Sequence, residues 1–246
     1  MWQVHRNTAS IRVGTVAASL NLERPHEGLH GICVDGEAIP DARVLETRAG
    51  DVPTGQDEQL VDVYARGTDL VAVYAQTAQR NVCAQIYWRV IHLDSVGAAG
   101  VEIIASVHTS LLASDPRIAV GSTLPGCDVW CLLDEMGSRY ERVELADLEP
   151  FVLDSGAGLL LFRLPDSACS YVEMIHPADF TTGKIRRDSS TGPLVRSEFR
   201  LFDEPLEKGV IRRSRVRGVF LPGEEDEKAA IECYRDFVKS AIPLTV

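Results

Sequence analysis

Long apolar runs are missing from this 246-residue sequence. Stretches such as 156–162 fall far short of the roughly 18 residues that cross a bilayer as a helix, so no membrane partner is expected. Positive charge is scarce as well, with 25 Lys and Arg against 36 Asp and Glu and a formal net charge of −11. That balance opposes a surface built to neutralise phosphates, which excludes nucleic acid as the expected partner. The opening MWQVHRNTAS lacks the charged start, apolar stretch and small-residue cleavage site of a secretory signal, and a cytoplasmic protein is expected.

Nucleotide and metal signatures are lacking too. Gly183-Lys184 has no upstream glycine at phosphate-loop spacing and is followed by Ile185 and Arg186 instead of a hydroxyl residue. Neither 97–100 nor 155–158 supplies the three glycines of a dinucleotide-binding turn, and no Gly-x-Ser-x-Gly elbow marks a serine hydrolase. The cysteines, Cys33, Cys83, Cys127, Cys131, Cys169 and Cys233, are scattered. Cys127 and Cys131 are close, but two further ligands at zinc spacing are lacking, and most of the six are expected to act as small buried hydrophobes in a reducing compartment. His26 and His30 are four apart in a segment with proline and glycines, which is not the rigid face that two metal ligands need. No metal and no cofactor are expected.

What is present is an ordinary globular composition, 45% hydrophobic and 25% charged. Apolar and polar residues alternate with period two in many short segments, which predicts strands over 11–21, 31–34, 43–48, 70–76, 82–93, 101–109, 127–133, 140–144, 158–164, 170–176, 194–202 and 209–221. Turn formers at 34–36, 94–100, 114–116 and 191–193 separate several of them. The fold class that follows is all-β, a large antiparallel β-sandwich. The exception is 224–240, where Ile231, Tyr234, Phe237 and Val238 make one apolar stripe and predict a C-terminal amphipathic α-helix. Glu224, Glu225, Asp226 and Glu227 suit its first turn and Lys239 its last, and Pro243 ends it. The stripe predicts packing on the outside or across one end of the sandwich. With no repeat or linker, one domain spanning 1–246 is expected, with 50–59 as a long loop; nothing in the pattern sets an oligomeric state.

Two strand pairs carry the candidate site residues. If 94–100 is a turn, strands 82–93 and 101–109 form a hairpin whose polar face holds Gln85, Tyr87, Arg89, Glu102 and His108. Donors, acceptors and an aromatic body on one sheet face suit a polyol; the alternative is an ordinary solvated face. In the second pair, Arg196, Glu198 and Arg200 share one face of 194–202, and Arg213, Arg215 and Arg217 form a stripe on 209–221. An ion-pair ladder with Glu198 across a hairpin would account for the stripe, and an anionic ligand such as an acidic sugar or sugar phosphate is the other reading.

This sandwich, with Phe202, the segment 206–211 and Arg217-Gly218 near its end, resembles the galactose-mutarotase-like β-supersandwich superfamily of aldose epimerases and carbohydrate-binding domains. The resemblance implies a carbohydrate ligand and, in epimerases, a His acid with a Glu base. The Asn-His and Tyr-Phe-Asn-Leu signature of those enzymes is missing; the nearest histidine contexts are His108-Thr109-Ser110 and His176-Pro177-Ala178. The expectation is therefore a protein that binds a carbohydrate or acidic sugar on a sheet face. Its rivals are an epimerase with His108 or His176 as acid and Glu102 or Glu198 as base, and an assembly protein with a protein partner.

Overall fold

A computed structural model describes residues 1–50, 56–134, 139–146, 149–165, 167–188 and 193–241. The expected stop at Pro243, part of the 50–59 loop and most of the 191–193 turn lie outside the described residues. In chain order the strands are β1 (Gln3–His5), β2 (Thr8–Val13), β3 (Val16–Asn21), β4 (Leu29–Val34), β5 (Glu37–Ala38), β6 (Arg43–Ala49), β7 (Leu60–Arg66), β8 (Asp69–Tyr74), β9 (Cys83–Leu93), β10 (Ala98–His108) and β11 (Ala113–Ser114). They continue as β12 (Ile118–Pro125), β13 (Asp128–Leu132), β14 (Tyr140–Arg142), β15 (Phe151–Leu153), β16 (Leu159–Arg163), β17 (Cys169–Ile175), β18 (Thr182–Asp188), β19 (Leu194–Leu201), β20 (Leu206–Glu207) and β21 (Arg212–Pro222), before helix α1 (Asp226–Lys239).

Among the described residues two large antiparallel sheets form. The first has the order β1-β2-β3-β4-β6-β12-β19-β18-β15 with β5 beside β4, and the second β14-β13-β16-β17-β21-β10-β9-β8-β7. Their facing sides supply the main core, in which Val44, Val120 and Phe199 of the first sheet share a cluster with Ile103, Val107 and Tyr171 of the second. Period-two alternation explains this directly, because in β19 the residues Val195, Ser197, Phe199 and Leu201 turn inward while their neighbours turn out.

The sandwich and its helix match the sequence expectation, with corrections. The 11–21 segment is two strands, because Gly14 at φ +51° makes a reversal between β2 and β3. The proposed hairpin of 194–202 with 209–221 does not form: β19 lies in the first sheet between β12 and β18, while β21 lies in the second between β17 and β10. Strands β12 and β18, both beside β19, leave no clear alternation in the sequence because Gly121, Pro125 and Gly183 break their apolar pattern.

The helix lies on the outer face of the second sheet. Ala230, Cys233, Tyr234 and Phe237 pack on Leu159, Leu161, Val172, Met174, Val219 and Leu221, so the buried stripe is rotated from the expected one and leaves Val238 exposed. Arg163 fixes its first turn with two 2.8 Å bonds to Asp226, which also accepts the Ser170 hydroxyl at 2.8 Å. Acid at a helix start is favoured by the macrodipole, and here it is also an anchor.

Packing is tightest where the strands of the first sheet cross the glycine of β12. A Cβ on Gly121 would overlap the backbone carbonyl of Ser197, which cannot move aside without disturbing β19. Gly121→Ala is expected to destabilise the fold by about 3 kcal/mol, the upper end for overpacking, and urea unfolding would measure it; a loss under about 0.5 kcal/mol would contradict this packing.

Candidate functional site

The first proposed hairpin forms as β9–β10, and its register sets Arg89 opposite Glu102, Gln85 opposite Ser106 and Cys83 opposite His108. On the other side of β10, Glu102 faces Arg217, Ile104 faces Arg215 and Ser106 faces Arg213. The polar hairpin and the arginine stripe therefore meet on one surface, the outer face of the second sheet. Much of that surface is closed. Tyr87 is 6% exposed, Glu102 2%, Arg215 1% and Arg217 3%. Arg89 forms a two-bond pair with Asp69 at 2.8 and 2.7 Å. Arg217 donates to Glu102 at 2.9 and 2.8 Å and to Asp236 of the helix at 2.7 Å, and its guanidinium lies 4.7 Å from the Phe237 ring centre. Arg215 reaches Ser240 at the helix end. Like charges in the stripe are thus separated by carboxylates and an aromatic face, beneath a helix.

The histidines stand apart from one another. His108 is exposed at the end of β10, whereas His176 accepts the Ala178 N–H at Nδ1, approaches the Val238 carbonyl through Nε2 at 3.4 Å and meets the edge of Phe237. Glu198 is in the other sheet. The pairings of His108 or His176 with Glu102 or Glu198 are not gathered around one cleft.

The open charged surface is the outer face of the first sheet, and Arg196, Glu198 and Arg200 lie on it. Cross-strand register brings three rows together. Thr123 of β12 faces Arg43 on one side and Arg196 on the other, and Arg196 faces Arg186. In the next row Gly121 faces Glu46, Glu198 comes beside the glycine, and Lys184 faces Glu198. Beyond it Ala119 faces Arg48 and Arg200, and Arg200 faces Thr182. Small residues in the middle and long charged ones on both flanks make a trough. A cleft of about 280 Å³ occupies it, floored by Ala119 and Gly121 and walled by Glu46, Arg48, Lys184, Arg186, Arg196 and Glu198. A wider cleft of about 770 Å³ adjoins it, shares Glu46, Arg48, Arg186 and Arg196, and extends past Arg43 and Thr123 to His26 and His30. The segment of the two histidines thus lines a cleft, and burial lowers the His26 pKa.

Glu46 sits at the junction. Its carboxylate accepts the Thr123 hydroxyl at 2.7 Å and lies 3.9 Å from Arg48, which is also 3.7 Å from Glu198. Burial pushes its pKa up from the ordinary value, opposed by the Thr123 bond and by Arg48, Arg196 and Arg43. Five cations (Arg43, Arg48, Lys184, Arg186, Arg196) and four carboxylates (Glu27, Asp41, Glu46, Glu198) line the two clefts, a slight local excess of positive charge on an acidic chain. Arg186 and Arg196 stand directly opposite each other, and Glu46 acts electrostatically on Arg196.

Glu46 reaches this face only because β6 is irregular. Between the Arg43–Thr123 and Glu46–Gly121 pairs, β6 has one more residue than β12, and Leu45 takes φ +58°. This bulge switches the parity of the strand, so that Glu46 and Arg48 join Arg43 on the outer side. Beneath it the Leu45 N–H is bound by the Ser122 hydroxyl at 3.1 Å. Ser122 donates in turn to Glu173 of β17, which also accepts the Ser197 hydroxyl at 3.2 Å. Glu173 is fully buried, and burial pushes its pKa up to about 7 although both serine hydroxyls oppose the shift.

No protein-family model and no curated protein matches this sequence. Solved structures do match its fold. One assigned as an aldose 1-epimerase, from Klebsiella pneumoniae subsp. pneumoniae, aligns at TM-score 0.59 and 8% identity over 97% of this chain and 87% of that one. The alpha-N-acetylgalactosaminidase of Bifidobacterium bifidum, solved with GalNAc, aligns at TM-score 0.53 and 14% identity over 97% of this chain and 38% of that one. A TPR-domain containing protein from Parabacteroides distasonis aligns at TM-score 0.63 and 7% identity over 87% and 46%. At such identities the likeness is one of fold, and the chain has the β-sandwich architecture of the structure assigned as an aldose 1-epimerase and of parts of the two larger chains.

Proposed function

We propose that the outer face of the first sheet binds a carbohydrate carrying a carboxylate or phosphate. The observation that carries this reading is the row Arg43, Arg196 and Arg186, aligned across the sheet beside Glu46 and the bare Gly121 floor. Guanidinium groups take carboxylate and phosphate through paired hydrogen bonds. Glu46 and Glu198 offer acceptors for sugar hydroxyls, while Ala119 and Gly121 leave room for a ring. The sugar-acting proteins among the structures of similar fold support a carbohydrate over other anions.

Thermal unfolding against neutral hexoses, uronic acids and sugar phosphates tests the proposal. A ligand at 100 times its Kd adds about 2.7 kcal/mol, which for this chain length is a rise of about 5–10 °C. The expected result is such a rise with glucuronate or glucose 6-phosphate and none with glucose. A rise with neutral sugars alone would remove the anionic requirement, and no rise with any sugar would turn the reading to an assembly protein.

An epimerase reading rests on Glu46, a buried carboxyl with a raised pKa at the bottom of a polar cleft. A carboxyl at such a place can exchange a proton with an anomeric hydroxyl. Saturation-transfer NMR on the same samples would show anomeric exchange if this holds.

A further inference from the structure

We propose that Glu173, a residue of the opposite sheet with no place on the outer face, is a positioning residue for the carbohydrate cleft. Through Ser122 and Ser197 it holds the Leu45 bulge that turns Glu46 outward. The inference rests on the cleft as the binding site.

Register and hydrogen bonding carry it. A leucine at positive φ in mid-strand is strained, and it persists only where its surroundings over-determine it. Its N–H has left the regular ladder and finds the Ser122 hydroxyl instead. That hydroxyl has its own proton to place, and it donates to Glu173. Ser197 is bound in the same way: it accepts the Ser122 N–H at 3.0 Å and donates to both oxygens of Glu173 at 3.2 Å. Tyr171 closes the group with its hydroxyl 3.2 Å from that of Ser122. One carboxyl from the second sheet therefore gathers β12 and β19 of the first directly beneath Gly121, and orders β6 through Ser122. If the bulge were lost, parity along β6 would revert. Glu46 would turn into the core and Thr47 outward, as for any one-residue slip.

Such a carboxyl would be a costly choice if only stability were at stake. A leucine of similar size would fill the space, but it could not accept two serine hydroxyls; a glutamine could, through its amide oxygen. This difference separates positioning from filling.

The experiment uses the intact chain with Glu173→Gln, Glu173→Leu and Ser122→Ala, and reads two quantities. Amide hydrogen exchange at Leu45 reports the bulge without any ligand, and calorimetric titration with glucuronate reports the cleft. Glu173→Gln is expected to keep Leu45 protection and affinity within about twofold. Glu173→Leu and Ser122→Ala are expected to raise exchange at Leu45 at least tenfold while β10 stays protected, and to weaken glucuronate at least tenfold. Ser122→Ala, which removes one hydroxyl, keeps the test open if Glu173→Leu does not fold. Wild-type protection at Leu45 in Ser122→Ala or Glu173→Leu would overturn the brace, and so would unchanged affinity in variants whose bulge has opened. If exchange changes as expected while the wild-type protein fails to bind glucuronate, the brace stands and the anionic-sugar reading falls.

Discussion

Arg217→Ala is expected to lower the stability of the fold by about 3–5 kcal/mol, the usual cost of removing one partner from a buried ion pair. Arg217 is 3% exposed and holds Glu102, itself 2% exposed, through two bonds. Without the guanidinium the buried Glu102 carboxylate loses both of its hydrogen bonds and keeps only the charges of Arg89 and Arg215 nearby. The helix loses as well, because Asp236 and the Phe237 ring both contact Arg217. Asp236 is half exposed and can be solvated, so most of the loss belongs to Glu102. At this chain length the effect is a fall in Tm on the order of 10 °C. Replacing both partners, Arg217→Met with Glu102→Leu, is expected to recover most of it, since a buried ion pair contributes little beyond a well-packed apolar pair. Binding of glucuronate should be unchanged throughout, because the cleft lies on the other sheet. A variant that melts like the wild type but no longer binds would return the arginine stripe to the role of ligand contact.

Arg186→Glu should weaken glucuronate or glucose 6-phosphate by about 10- to 100-fold, the range for losing a hydrogen bond to a charged group. Arg186 is exposed on β18, so its stability effect is small. Affinity in the wild-type protein should fall as salt rises, and the slope should be shallower in the variant, because exposed charges are screened within about 10 Å at 0.1 M ionic strength. Titration calorimetry at two salt concentrations reads both effects. Equal affinity in the two proteins would place the anion elsewhere.

Much of the architecture was legible because alternation is a local property. β9, β10, β16, β17 and β19 lie within about three residues of the sequence expectation; β19 buries one face with period two, whereas β10, β16 and β17 are short apolar runs bounded by turns and buried on both faces. The helix was legible for the same reason with period 3.6, although its stripe was misplaced by a residue: Cys233 and Ala230 are small enough to let Phe237 and Tyr234 approach the sheet. The candidate site was far less legible. Alternation alone puts Arg196, Glu198 and Arg200 on one polar face, but chain order points to 209–221, the next strand-like segment, as their partner, whereas β12 and β18 flank them. Nothing short of the assembled sheet links Arg43, Thr123, Arg196 and Arg186, which come from four strands spread over more than half the chain. Glu46 was hidden by the bulge, because simple alternation puts it on the face opposite Arg43.

By itself the sequence determined that the chain is an antiparallel sandwich with one terminal helix, since strand and helix periods, turn residues and caps act over a few residues. Tertiary structure alone decided which face is covered and which is open. The helix lies over part of the arginine stripe, where Asp236 and Phe237 meet Arg217, while the first sheet keeps an uncovered charged trough. The physical reason is that burial and pairing depend on partners distant in sequence. An arginine reads the same in the chain whether a carboxylate closes over it or it waits on an open face for a ligand.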